Sequence, residues 1–168
     1  MKYFAIIGIL FFGLACGGGG SKPTPPVPTP HPPGISNFNF TSPSSVPQGS
    51  GGGAATVTWT FDFIDSGKDV TTMIVEFLDA SGNVGNTVST QLTGTSGLTS
   101  GTIAAAGTFP TTIPVGSWNW RFRVVDSVGN VSNNLNATWT ITSPPTGIQT
   151  KVDEKGWESV SISSAEIK

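Results

Sequence analysis

An all-β sandwich of about seven strands in two packed antiparallel sheets is the fold this sequence predicts, on three observations. Apolar residues recur with a period of two from Ile35 onward, no segment carries a helical stripe, and clusters of Gly, Pro, Ser and Asn punctuate the alternating runs. The sandwich is expected over residues 35–143, which leaves a leader, a spacer and a tail outside it.

Three runs carry the prediction. Ala55, Val57, Trp59, Phe61 and Phe63 alternate with Thr56, Thr58, Thr60 and Asp62; Trp118, Trp120, Phe122 and Val124 alternate with Asn119, Arg121 and Arg123; Leu135, Ala137, Trp139 and Ile141 alternate with Asn136, Thr138, Thr140 and Thr142. Each is a strand with one buried and one wet face. Four further strands are expected at Asn37 to Thr41, Val70 to Asp79, Asn86 to Leu92 and Leu98 to Ala105, each bounded by turn-forming residues. Val70 to Leu78 is apolar on both faces, with Met73, Val75 and Phe77 against Ile74 and Leu78, as a central strand with a second contact surface would be. The alternation puts Trp59, Trp118, Trp120 and Trp139 in the core, which argues against a row of tryptophans displayed for stacking on sugars.

The segment from Pro114 to Ser132, PVGSWNWRFRVVDSVGNVS, resembles the last two strands of bacterial immunoglobulin-like and fibronectin type III-like domains. Those strands often read Pro-Gly, an aromatic, alternating apolar residues, then Asp-x-x-Gly-Asn and a Ser. Trp118 stands where such domains usually carry the tyrosine of the corner motif. The resemblance implies a single immunoglobulin-like sandwich, and it says little about activity because this architecture hosts many unrelated roles.

The first residues point to the cell envelope. Lys2 precedes an apolar run from Tyr3 to Ala15, and the chain's sole cysteine, Cys16, ends it. A charged start, about a dozen apolar residues and a small residue before the cysteine is the layout of a bacterial secretory signal. The run is broken by Gly8 and Gly13 and falls short of the roughly 20 residues a comfortable span needs. An ordinary signal cut elsewhere would leave an odd cysteine in an exported chain. Gly13-Leu14-Ala15-Cys16 resembles the lipobox of bacterial lipoproteins, with Gly13 where those motifs usually carry Leu. The resemblance implies a signal peptide over residues 1–15 and a lipid on Cys16. Gly17, where inner-membrane lipoproteins often carry Asp, resembles the exported kind, so the outer membrane or cell surface is the expected location.

Residues 16–34 then read as a spacer. Gly17 to Gly20 is a flexible stretch, and the twelve residues Lys22 to Pro33 are proline-rich. At about 3.1 Å per residue in polyproline II that segment spans roughly 35 to 40 Å, enough to stand a domain off a membrane. The alternative use of such a run, as a ligand for a partner's groove, belongs mainly to cytoplasmic signalling.

Chemistry is sparse. His31, the only histidine, lies in the spacer, and Cys16 is expected to be acylated, so neither can serve a nucleophile or base; no enzyme is expected. The 8 basic and 10 acidic residues provide no basic stripe for nucleic acid. Asp62, Asp65 and Asp69 form the densest acidic group, in a loop that calcium could use, although turn geometry and solvation are the expected explanation. No other cofactor is expected. Asp79-Ala-Ser-Gly-Asn83 and Asp126-Ser-Val-Gly-Asn130 share a pattern that reads as two hairpin turns.

Residues 144–168 differ in kind, holding seven of the 18 charged residues. Ile148 to Val152 and Trp157 to Ile162 have the makings of a hairpin, which alone is marginal, so a disordered or weakly docked tail is expected. The reading is a membrane-anchored, non-enzymatic immunoglobulin-like module for binding or adhesion, with an envelope or extracellular protein or a glycan as partner. The alternative is a structural subunit of a surface layer or filament that self-associates through β-edges or the tail.

Overall fold

A computed structural model describes residues 31–79, 81–147, 151–154 and 156–168. They form an all-β sandwich with no α-helix among them. The strands are β1 (Gly34–Phe40), β2 (Ser45–Pro47), β3 (Ala54–Ile64), β4 (Val70–Leu78), β5 (Val84–Gln91), β6 (Ser100–Pro110), β7 (Gly116–Asp126), β8 (Leu135–Thr142) and β9 (Ser161–Ile167). One sheet has the order β1-β3-β6-β9 and the other β2-β8-β7-β4-β5.

The seven expected strands are present, and two more join them. β2 is three residues long, too short for alternation to reveal, and it pairs parallel to β8 with Val46 opposite Ile141, which departs from the all-antiparallel expectation. β9 comes from the charged tail. The hairpin expected there does not form: Gly156–Ser159 is a 3-10 turn, and Ser161–Ile167 pairs antiparallel with β6 instead. The other half of that hairpin, from Ile148 to Thr150, lies outside the described residues. The tail is thus an edge strand of the sandwich, because a lone two-stranded ribbon has no face to bury whereas β6 offers a complete row of backbone partners.

The core is aromatic. Trp120 on β7 stacks on Phe109 of β6 with ring centroids 4.4 Å apart and planes 18° from parallel. It also meets Trp59 of β3 edge-on at 5.9 Å, Phe77 of β4 at 5.4 Å and Phe40 of β1 at 5.6 Å. Rings from both sheets therefore close on one indole, in the offset and edge-to-face arrangements that aromatic quadrupoles favour. Trp59, Trp120 and Trp139 are fully buried, as expected. Trp118 is only half-buried at the end of β7, where its indole N–H donates to the carbonyl of Pro114 at 3.2 Å. That bond ties the indole to backbone four residues upstream.

β1 begins at Gly34, at the end of the sandwich that holds the β3–β4, β5–β6 and β7–β8 connections. There the amide of Asn133 receives a hydrogen bond from Ile35 N at 2.8 Å and returns one to Ile35 O at 2.9 Å. This side chain acts as a short surrogate strand and ties β1 to the opposite sheet. Asn37, in the left-handed region at φ 55, marks a bulge in β1 that lets Ile35 and, three residues on, Phe38 both face the core, with Phe40 following on the same side.

Gly107 sits in the middle of β6 because nothing larger fits: a Cβ there would lie 2.8 Å from the ring of Phe109 and 2.9 Å from the carbonyl oxygen of Ser161. Gly107→Val is expected to cost about 1–3 kcal/mol through this overpacking, and hydrogen exchange should show β9 amides losing protection first. Trp120→Ala should cost roughly 3–5 kcal/mol, the usual range for truncating a buried aromatic, read as a lower urea midpoint.

Candidate functional site

Sequence-predicted site residues are placed as follows. Cys16 lies outside the described residues. Asp62 is on the outer face of β3, where it accepts hydrogen bonds from Asn37 Nδ2 at 2.8 Å and Thr102 Oγ1 at 2.7 Å; these bonds hold its carboxyl below the ordinary 3.8 against a small opposing effect of burial. Asp65, 2% exposed, accepts from the backbone N–H of Gly67 at 3.0 Å and of Asp69 at 2.8 Å. Asp69 accepts from the hydroxyl of Ser127, and its carbonyl accepts from Ser127 N at 2.9 Å. The three carboxylates face different donors. Among the described residues no group of three His, Cys, Asp or Glu side chains gathers as a cation site would require.

The loop's real kinship is with two others. In Asp79 to Asn83 the Asp79 carboxylate accepts from Ser81 N at 2.9 Å, Asn83 N at 2.8 Å and Asn83 Nδ2 at 3.1 Å. In Asp126 to Asn130 the same atoms of Asp126 accept from Val128 N at 3.0 Å, Asn130 N at 2.8 Å and Asn130 Nδ2 at 2.7 Å. Both turns place glycine at positive φ in the fourth position, Gly82 at 83° and Gly129 at 94°. Asp65 to Asp69 repeats the carboxylate pattern, with Lys68 taking the positive φ, 62°, that glycine takes elsewhere. One Asx-type turn is therefore used three times. The first closes the β4–β5 hairpin, and the second returns β7 to an isolated bridge between Val125 and Val131.

The chemistry that is displayed lies on the outer face of the five-stranded sheet. Glu76 is an outward residue of β4 and Arg121 stands directly opposite on β7, with Arg123 two residues on along the same face. Arg121 Nε donates to Glu76 Oε2 at 2.5 Å, and Arg123 Nη2 donates to Oε1. The Glu76 side chain is 8% exposed while each arginine is 28% exposed. The carboxylate is thus buried beneath two guanidinium groups that keep one edge in solvent. These are the only arginines in the chain. Ile74 and Leu78 flank Glu76 and are half-buried, so β4 is central in its sheet, and its apolar outer residues frame a charge cluster. Beside it runs a shallow groove bordered by Leu78, Asn119, Arg121, Asn134, Asn136 and Thr138. Thr138 Oγ1 donates to Asn119 Oδ1 at 2.9 Å on the groove's rim.

Sequence reasoning used Arg121 and Arg123 only as markers of a wet face and did not single out Glu76. The available signal was the rarity of charge: Glu76, Arg121 and Arg123 are the only charged residues at the outward positions of β4 and β7, among Thr72, Ile74, Leu78, Ser117, Asn119 and Val125. The outer face of the four-stranded sheet carries small side chains from Thr58, Thr60, Ala104, Ala106 and Ser164 bordered by the charged Asp62, Glu166 and Lys168. Comparison with protein-family models finds no match, and comparison with curated proteins finds none either.

Removing the shared acceptor should leave two adjacent cations unneutralised, and Glu76→Ala is expected to cost about 1–3 kcal/mol, less than a fully buried triad because the arginines keep contact with water; the midpoint of urea unfolding measures it. The turn aspartates predict acid sensitivity. Burial pushes Asp126 up, but the bonds from Asn130, Val128 and Gly129 outweigh it, and Asp79 is lowered chiefly by the Asn83 side chain, so both lie below the ordinary 3.8. Groups whose folded-state value is lowered stabilise the fold above their unfolded value and lose that contribution as pH falls through the folded one. Stability should therefore decline on acidification below about pH 4, and Asp126→Asn should flatten that decline in urea titrations run at successive pH values.

Proposed function

We propose that this chain is a non-enzymatic envelope lipoprotein, anchored by a lipid on Cys16, that presents an immunoglobulin-like binding or adhesion module at the outer membrane or cell surface. The observation that carries the reading is the fixed Arg121–Glu76–Arg123 cluster on an open sheet face, beside an amide- and hydroxyl-bordered groove. A buried carboxylate pre-sets both guanidinium planes, so a ligand's carboxylate or hydroxyl groups would meet donors already ordered, at reduced entropic cost. Such chemistry suits an extracellular protein or a glycan.

The position of the spacer supports the same reading. It delivers the chain into β1 at one end of the sandwich, so a tether there leaves the β4–β7 face unobstructed along its length. The strand order, with β2 running parallel to β8 and the remaining ladders antiparallel, is compatible with the immunoglobulin-like architecture that the Pro114 to Ser132 segment resembles.

A second reading, a structural subunit assembling through β-edges or the tail, draws on β9: the tail is a strand seated on a sheet edge, which is the geometry β-augmentation uses.

Intact mass of the protein taken from membranes, beside a Cys16→Ser variant, tests the anchor. A diacylglyceryl-sized increment on a chain beginning at Cys16, absent from the variant, is the expected outcome. An unmodified chain in both would remove the lipid and the tether argument together.

A further inference from the structure

We propose that β9 is exchangeable between copies of this chain, with Ser161–Ile167 of one molecule pairing on β6 of a second. This deepens the assembly reading and is independent of any lipid on Cys16.

Four observations converge. First, β9 fills a slot with two walls. It pairs with β6 from Ile103↔Ile167 to Thr108↔Ser161. On its other side Thr93 N donates to Ala165 O at 3.3 Å and Ile167 N donates to Thr93 O at 3.2 Å. Second, the slot is cut to the strand. Gly107 admits the Ser161 carbonyl where any Cβ would stand 2.9 Å away, and a Cβ at Gly101 would stand 3.4 Å from the Ile167 side chain and 3.0 Å from Phe63.

Third, β9 is held mainly by its backbone. Only Ala165 within it is buried, and Ile162 and Ile167 are half-buried, whereas β3 buries Val57, Trp59, Phe61 and Phe63. Leaving the slot withdraws two small buried side chains, Ala165 and the adjoining Val160, far less apolar surface than β3 holds, while the vacated β6 would be an eleven-residue edge that recruits another strand. Fourth, β8 ends at Thr142 and β9 begins at Ser161, a connection of 18 residues. Its last residues are docked, with Asp153 N donating to Thr112 O at 2.8 Å and Gly156–Ser159 in a 3-10 turn, so the hinge is the ten residues 143–152, which at about 3.3 Å per residue span roughly 33 Å, enough for the slot of a molecule packed alongside. The register that β6 and β9 form within one chain is available unchanged between two, which is what makes strand exchange a low-cost route to association.

Disulfide trapping distinguishes the two arrangements. Ala106 lies opposite Ser164, and Ala104 opposite Glu166, at the separation of directly paired antiparallel residues, about 4.5–5.5 Å between Cα atoms, which a disulfide can bridge. In the full chain carrying Cys16→Ser, one preparation bears Ala106→Cys and a second bears Ser164→Cys. After mixing, partial unfolding, refolding and oxidation, the expected result is a covalent heterodimer whose fraction rises roughly tenfold for a tenfold rise in concentration while it remains the minor species. Chains bearing both substitutions serve as the control for pairing within one molecule, and the Ala104→Cys and Glu166→Cys pair repeats the test at a second position. Closure of the doubly substituted chain as a monomer, with no heterodimer from the mixed single variants at either position, overturns strand exchange. Concentration-dependent association in sedimentation without the heterodimer would overturn it as well and shift assembly to another edge. A uniformly monomeric chain would overturn the assembly reading with it.

Discussion

The stack of Trp120 on Phe109 is the contact on which the rest of the molecule depends. These two rings belong to opposite sheets, and the edge-on rings of Trp59, Phe77 and Phe40 enclose them. With one cysteine in the chain, no disulfide within a single copy can join the sheets, so inter-sheet cohesion rests on aromatic packing. The arrangement has a cost: the indole N–H of Trp59 is buried without a hydrogen-bond acceptor, a penalty of about 1–3 kcal/mol that the surrounding apolar burial must outweigh.

Around that core the loops economise on chemistry. An aspartate that accepts hydrogen bonds from the backbone two and four residues ahead caps three separate connections, at Asp65, Asp79 and Asp126. A carboxylate used this way satisfies donors that would otherwise face outward unpaired. The apparent acidic cluster in Asp62 to Asp69 is accordingly a turn, a sheet-face hydrogen bond and a link to Ser127, each with its own partner. A charge cluster with shared partners sits instead on the β4–β7 face, where Glu76 orients both arginines of the chain.

The two sheets have contrasting edges. The edge of β6 is covered by the tail, whose backbone ladder supplies most of the attachment, while β5 remains an outer strand of short polar residues with Val84 exposed at its start. A strand attached by backbone bonds is interchangeable in a way that one anchored by tryptophans is not, because backbone pairing does not distinguish one copy from another. This difference in attachment separates the strands that carry the aromatic core, β3, β6 and β7, from the strand held chiefly by its ladder.

The period-two alternation and the turn clusters between its runs by themselves determined the all-β fold, seven of the nine strands and the burial of Trp59, Trp120 and Trp139, since a strand exposes its faces in a pattern that residue order records directly. They also determined the paired Asp-x-x-Gly-Asn turns, whose requirement for positive φ is local. Strand neighbours, however, are set by contacts between residues far apart in the chain. Only the tertiary structure decided that Ser161–Ile167 pairs with β6 rather than folding back on the preceding segment, that Asp65 belongs with the turn aspartates, and that Glu76 on β4 lies beneath Arg121 and Arg123 on β7. Those outcomes depend on which edges remain open and which outward residues face each other across a ladder, quantities that exist only once the two sheets have closed on their shared aromatic core.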